Sequence, residues 1–406
     1  MRTQAAVLCG CLALIFLLNL SGPGLLDRGG QVKGTDFLHF YVIGSLVVEG
    51  RDTALYSVDE QTAAAIALLP ESRNVFYLPV YGPQVALLFA PLALLPYGWA
   101  LAVWLSVTAL IYAICIAVFW RTCPSLRGEK HLVALLAAAS PAFFNLIAHG
   151  QNSALALASF TAAFLALRRG RRFVAGVAIG MLVYKPQLGL ATACVFVLTA
   201  EWRVITGAIV GAGAQLGIAW AWFGTDVIRR YSETIRHVGD IAPLLDIKPY
   251  QMHSLLSFWR LLMPGSSVAD GLYAVCALAI LVTLVAMWRR PLPLNVRYAT
   301  LLLGTVLVCP HLNVYDLVIL APGLLLIADW WLTRPAAKPS HAVGRLLYAV
   351  YVLPLFGVLT RYTHVQLSVA AMTGLFAVVA RHALHGGPVA DRVPLEQVAD
   401  GWCQVR

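Results

Sequence analysis

Along this chain apolar residues gather into long runs, and polar residues fall between the runs rather than alternating with them. The runs cover 5–26, 98–120, 132–147, 154–167, 173–184, 188–200, 204–223, 271–288, 298–309, 317–331, 346–360 and 365–380. A helix needs about 20 mostly apolar residues to cross a bilayer, and one that is apolar all round has no face for water. The pattern predicts a bundle of membrane-crossing helices. One further run, 85–95, is only about half a span long.

Basic clusters set the orientation. If 85–95 crossed, the clusters Arg121 to Lys130 and Arg168-Arg169-Gly170-Arg171-Arg172 would both fall outside. If it does not cross, both fall inside, together with Arg289, Arg290, Arg297, Arg334, Lys338 and Arg345. The positive-inside bias favours the second arrangement. Residues 81–96 then form a juxtamembrane or re-entrant element on the outer surface, which Pro83, Pro91 and Pro96 suit. Arg2 and the run after it resemble a signal peptide, but the run is long and no small-x-small site follows, so it reads as an uncleaved first helix.

The expected fold class is an all-α polytopic membrane protein of about 12 transmembrane helices with both termini inside. It forms a single transmembrane domain over 1–381, with a polar cytoplasmic tail over 382–406. Two outer loops are long, 27–97 and 224–270. They hold over half of the chain's 19 acids and contain helical patterns at 37–48 and 255–262. Loops of this length are commonly functional.

Composition narrows the classes further. The chain is 60% hydrophobic and 12% charged, where a soluble chain has roughly 25% charged residues. Its net charge of +10 comes from the short basic clusters. No basic stripe interleaved with aromatics is present, so nucleic acid is not an expected partner. The eight cysteines are scattered singly, with no metal-type spacing, and predict neither a disulfide framework nor a zinc site.

Candidate chemistry gathers at the outer ends of the runs. Asp36 follows the first run and precedes an apolar helical pattern. It reads either as a helix N-cap or as a partly desolvated general base. Tyr77, within Asn74 to Pro83, reads as an interfacial anchor or as the wall of a sugar or lipid site. His149-Gly150-Gln151-Asn152 is turn chemistry or a set of amides for sugar hydroxyls. Lys185, just before Pro186, either snorkels or meets a lipid phosphate. His253 and Arg260 are surface residues or phosphate and sugar contacts. His311 and Asp316 share a short outer turn, as a structural pair or as site residues.

The order of these segments resembles glycosyltransferase family 87. Asp36-Phe37 with Tyr41 and Gly44, Leu55-Tyr56, Phe76 to Pro79 and Leu88 to Pro96 carry the likeness. Gly150-Gln151-Asn152, Lys185-Pro186-Gln187 and Pro310-His311 with Tyr315-Asp316 extend it to about Leu325. The resemblance implies a GT-C fold and an inverting hexosyltransferase. Its donor would be a sugar, mannose first, on a polyprenyl monophosphate. The acceptor would be a glycolipid or polysaccharide. Asp36 would be the general base and His311 a second catalytic residue. Tyr41, Tyr77, Gln151, Asn152, Lys185, His253 and Asp316 would bind substrate. Neither a cofactor nor a metal is expected, since lysine can answer a monophosphate leaving group. Broken helices and charges near spans are also features of a transporter or flippase of lipid-linked sugars. The absence of an internal repeat and the position of the polar groups beside long acidic loops weigh toward the enzyme.

Overall fold

The computed structural model describes residues 2–73, 75–241, 249–333 and 341–385. Among these, every regular element is helical, and strand-like pairing is confined to two isolated bridges, Leu26 with Val32 and Met252 with Asn313. The tail beyond His385 lies outside the described residues.

α1 (Arg2–Leu20) is largely exposed apolar surface and leads into the first loop. That loop folds into α2 (Thr35–Val48), α3 (Val58–Leu68) and α4 (Pro83–Ala93). α4 packs along α2 so closely that a Cβ on Gly44 would lie 2.8 Å from the Phe89 backbone. The short 85–95 run is thus a short helix packed against α2.

α5 (Tyr97–Arg121) is long and apolar enough to cross a bilayer. The run at 132–147 is not one helix. It divides into α6 (Lys130–Ala138) and α7 (Pro141–His149), bent by 46°. Pro141 cannot continue the hydrogen-bond ladder, and Ser140 caps the new helix by accepting from the Phe143 amide. α8 (Ser153–Arg168), α9 (Arg172–Gly180) with its 3₁₀ turn Met181–Tyr184, and α10 (Pro186–Leu198) follow.

α11 (Trp202–Arg236) breaks direction at Gly224, whose φ of 76° is open to glycine at little cost. Beyond that kink it lies over the first loop, with Tyr231 5.5 Å from Tyr56. The short α12 (Val238–Ile241) and α13 (Leu255–Leu262) complete the described part of the second loop. Then come α14 (Ser267–Arg289), α15 (Leu294–Val308), the 3₁₀ turn Val314–Ile319 and α16 (Leu320–Leu332). α17 (His341–Val352), a 3₁₀ turn, α18 (Gly357–Thr363) and α19 (Leu367–His385) finish the fold.

Seven of these stretches are long and apolar enough to cross a bilayer, and the bent α6–α7 pair makes an eighth. The protein is a multi-pass membrane protein. α8, α9 with its turn, α10 and α15 are apolar but shorter than a full span. α15 is buried along almost its whole length, whereas α9 and α10 keep exposed apolar positions such as Val174 and Leu190.

α9 and α11 make the closest helix contact. A Cβ on Gly176 would lie 2.0 Å from the Val204 carbonyl oxygen, and one on Gly207 2.1 Å from that of Phe173. Gly180 and Gly211 repeat the arrangement one turn on. Small residues four apart let two backbones meet where no hydrophobic force drives helices together. The contact fixes the helix that ends beside Lys185.

Hydrogen bonds tie one end of the bundle together. Arg2 pairs with Glu129 at 2.7 Å and Arg172 with Glu201 at 3.0 Å. Arg289 and Arg290 donate to the carbonyls of Leu198 and Leu384. Arg172, Arg289 and Arg290 therefore share one end, and Lys185, beyond the far end of α9, lies at the other.

Candidate active site

The site begins at the turn into α2. Gly34 takes φ 68°, and Tyr97 Oη donates to the carbonyls of Lys33 at 2.6 Å and Gly34 at 3.1 Å. The Tyr77 hydroxyl donates to the Thr35 carbonyl. Backbone and tyrosines thus fix this turn, and Gly34, not Asp36, is the cap residue. The Asp36 carboxylate, on the second residue of α2, is left to interact elsewhere. Its Oδ2 accepts from Gln151 Nε2 at 3.0 Å.

Gln151 is held for that contact. Its own Oε1 accepts from the Asn152 amide at 2.8 Å, which turns the NH₂ group toward Asp36. Gly150 before it has φ 65°, and a Cβ there would sit 2.7 Å from Phe37 Cβ. Trp104 Nε1 donates to the Gly150 carbonyl at 2.8 Å. The turn after α7 is pressed onto the start of α2.

Lys185 stands where the 3₁₀ turn after α9 gives way to α10. Pro186 keeps the residue before it out of the helical region, here at φ −134° and ψ 67°. Lys185 does not snorkel to a surface. Its Nζ donates to Asp316 Oδ1 at 2.9 Å and to Ser153 Oγ at 3.0 Å. Ser153 Oγ donates to the same carboxylate oxygen at 2.5 Å. The remaining Asp316 oxygen accepts from the Asn313 amide at 3.3 Å. Nζ also lies 5.2 Å from the centre of the Tyr315 ring, whose hydroxyl accepts from Asn313 Nδ2.

Between these two clusters stand His149 and Tyr81. The His149 ring is 5.9 Å from that of Tyr315, and its Nδ1 pairs with the Asn145 carbonyl at 3.0 Å. A carbonyl only accepts, so Nδ1 is the donor in this pair. Burial raises the Asp36 carboxyl above the usual carboxylate range. The charge of His149, the bond from Gln151 and the charge of Lys185 pull the other way. Tyr81 is close enough to feel Lys185, Asp36 and Asp316, and burial raises its hydroxyl as well.

The structure thus brings together Asp36, Gln151, Lys185 and Asp316, and adds Ser153, Tyr81, His149 and Tyr315. Asn152 is wholly buried beside them, with no hydrogen-bond partner for either side-chain amide atom. Its carbonyl accepts from Tyr184 Oη. His311 is exposed at the rim, near Asp316 and Lys185. Tyr77 supports the Asp36 turn and stacks on His39 at 4.6 Å. Tyr41 is packed behind, donating to the Leu95 carbonyl at 2.9 Å. His253 joins the 310–313 turn through its backbone amide, which donates to Leu312. Its ring faces the other way, with Nδ1 2.6 Å from Ser368 Oγ.

An all-helical, multi-pass protein with a carboxylate, amides and a buried lysine at one end of its helices defines the class to which this chain must be compared. The sequence model of glycosyltransferase family 87 matches residues 80–310, more than half of the chain, and the protein belongs to that family. It is a glycosyltransferase. Gln151, Asn152, Lys185 and His253 fall within the match, while Asp36, Tyr41, Tyr77, His311 and Asp316 lie outside it. No curated protein and no solved structure matches the chain.

Proposed function

We propose that the protein moves a hexose, mannose first among the candidates, from a polyprenyl monophosphate to a glycolipid or polysaccharide acceptor. The observation that supports this most is the pairing of a carboxylate kept free of capping, Asp36, with a buried lysine in the same cluster of turns. Asp36 takes the proton of the acceptor hydroxyl. The acceptor oxygen attacks the anomeric carbon as the bond from that carbon to the phosphate oxygen breaks, and the configuration inverts. The electron pair leaves on the lipid phosphate. Lys185 has three N–H groups and uses two on Asp316 and Ser153, so one remains for a phosphate oxygen. Gln151 and Asn152 offer amides to sugar hydroxyls, and His311 stands where the acceptor enters.

The site then lies on the extracytoplasmic side of a cell membrane, with the basic end and both termini in the cytoplasm. Twelve crossings result when α8, α9, α10 and α15 cross alongside the eight longer stretches. The transfer uses no metal, because Lys185 supplies the positive charge.

The test is transfer of label from radiolabelled polyprenyl-phosphate-mannose to membrane lipid extract, by purified protein in lipid nanodiscs, with Asp36→Asn alongside. Wild type alone should make labelled product, in excess chelator as well as without it. Loss of activity that magnesium or manganese restores would overturn metal independence. No transfer from any polyprenyl-phosphate sugar, with movement of the intact lipid across vesicles, would show a flippase instead.

A further inference from the structure

α2 is buried on every side from Phe37 to Leu46, and His39 is the one imidazole in that stretch, 6% exposed. Its Nε2 has no hydrogen-bond partner among the described residues. A phenylalanine would pack there with no nitrogen to satisfy, so the buried imidazole calls for a reason.

The ring sits between two tyrosines of the segment before α4. It stacks on Tyr77 at 4.6 Å with the planes 7° apart, and meets Tyr81 edge to face at 5.5 Å. Both tyrosines lead to the site. Tyr77 Oη donates to the Thr35 carbonyl, on the residue before Asp36. Tyr81 feels Asp36, Lys185 and Asp316, and its own carbonyl accepts from Tyr56 Oη at 3.1 Å. His39 itself lies about one turn along α2 from Asp36.

A small pocket opens on the imidazole, lined by His39, Tyr56, Gln61, Pro79, Tyr81 and Pro83. Its volume is about 10 Å³, the space of one water molecule. Gln61, from α3, is 3% exposed. Its Nε2 donates to the Leu55 carbonyl at 2.6 Å, which fixes the amide plane, and its Oε1 is left without a partner. Two side chains lining one pocket thus each keep a buried polar atom unmet, an arrangement that is costly without a bridging group. Burial lowers the His39 pKa to about 4, with Gln61 acting the other way, so the ring is neutral at physiological pH. A neutral imidazole nitrogen donates or accepts, whereas a carboxamide oxygen only accepts. A water molecule donates to Oε1 and still meets Nε2 in either tautomer.

We infer that a single water held between His39 Nε2 and Gln61 Oε1 makes His39 a positioning residue for transfer: it locks the imidazole, and with it Tyr77 and Tyr81, against the turn that presents Asp36. The inference rests on Asp36 as the base and deepens that reading. An imidazole bonded at Nε2 cannot turn without breaking the bond. The stacked ring passes that constraint to Tyr77, whose hydroxyl holds the Thr35 carbonyl. Transfer is sensitive to such placement, since a shift of about 1 Å in a reacting group can cost about 10²-fold in rate.

The test begins with a high-resolution map of the protein in nanodiscs. Wild type should show one water within hydrogen-bond distance of both atoms, and Gln61→Leu should lose it and displace the rings. No water in wild type, or unchanged positions of His39, Tyr77 and Tyr81 in Gln61→Leu, would overturn the inference. Kinetics give the second reading. His39→Phe keeps the stack and loses the nitrogen. It and Gln61→Leu should each lower kcat about tenfold, with KM within about twofold of wild type. The double variant should be no slower than either alone, because both act through one water. Its melting temperature should return toward wild type, since no unmet atom remains. His39→Gln, whose amide meets the same water, should restore kcat to within about threefold. Rate and melting temperature falling in step, with additive losses in the double variant, would make His39 purely structural, and the inference would fall. Should wild type transfer from no polyprenyl-phosphate sugar, the donor reading fails by itself, and the water and ring positions in the two maps still decide this inference. A variant that does not fold is replaced by the wild-type map, in which the bridging water is present or the inference is wrong.

Discussion

Lys185 and Asp316, 131 positions apart, meet at 2.9 Å with both side chains about 5% exposed. Each is the costliest kind of group to bury alone, and each makes the other tolerable. The pair joins the α9–α10 break to the turn before α16. Ser153 bonds to both partners, so α8 is drawn to the same point.

Removing one partner should therefore cost more than removing both. Lys185→Met or Asp316→Asn leaves an uncompensated buried group and should lower stability by about 3–5 kcal/mol. The double variant should recover most of that loss in thermal melts, yet transfer should stay absent because the phosphate has lost its cation. Recovery of transfer in the double variant would show that the pair is only structural.

Asp36 should trade stability for chemistry. Burial raises its pKa in the folded protein, so its ionised form is disfavoured there relative to the unfolded chain. The sign follows: stability linked to Asp36 is full at low pH and is lost as pH rises through the raised folded value. Asp36→Asn should melt above wild type at neutral pH, and the gap should close in acid. Transfer should fall about 10²–10⁴-fold. The acid limb of the wild-type pH–rate profile should lie above the ordinary aspartate pKa near ~3.9. Near-wild-type transfer by Asp36→Asn would remove it as the base.

Much of this was legible before any coordinates. The membrane class, the helix at 255–262 and a separate short helix near 85–95 follow from run length, proline and charge. The charged members of the site were legible because an acid or lysine beside an apolar run has few cheap positions. Ser153 was not, and Tyr81, His149 and Tyr315 entered only as members of candidate segments without a role of their own, since a hydroxyl or a ring at a membrane interface fits many roles. Which carboxylate Lys185 meets depends on helix packing across 131 residues, which no local pattern encodes. The break at Pro141 was signalled by proline but masked by apolar residues on both sides. His253 looks like a site residue by its neighbours, and only the packing of α19 turns its ring to Ser368.

The α9–α11 contact supports the lysine from below. Gly207→Val places side-chain atoms against the Phe173 carbonyl and should cost about 1–3 kcal/mol, shifting the helix that leads to Lys185. Transfer should drop with stability. Gly213→Val, on the same helix with nothing within 4 Å of its added Cβ, is the control and should leave both within about 0.5 kcal/mol of wild type. Equal harm from the two would point to helix propensity and not to the contact.

Gly150 offers a sharper cut between structure and chemistry. Its φ of 65° costs an alanine about 1–2 kcal/mol, and its added Cβ would press on Phe37 at 2.7 Å. Relief comes from moving the turn away from α2, which lengthens the 3.0 Å bond from Gln151 to Asp36. That bond favours the ionised carboxylate, so its loss lets burial raise the Asp36 pKa further. Gly150→Ala should thus move the acid limb of the pH–rate profile upward, beyond any loss of rate at the optimum. Gln151→Leu should move it the same way without the steric cost. If the limb stays in place in both variants while rate falls, Gln151 serves the sugar and not the base, and the limb belongs to another group in the cluster.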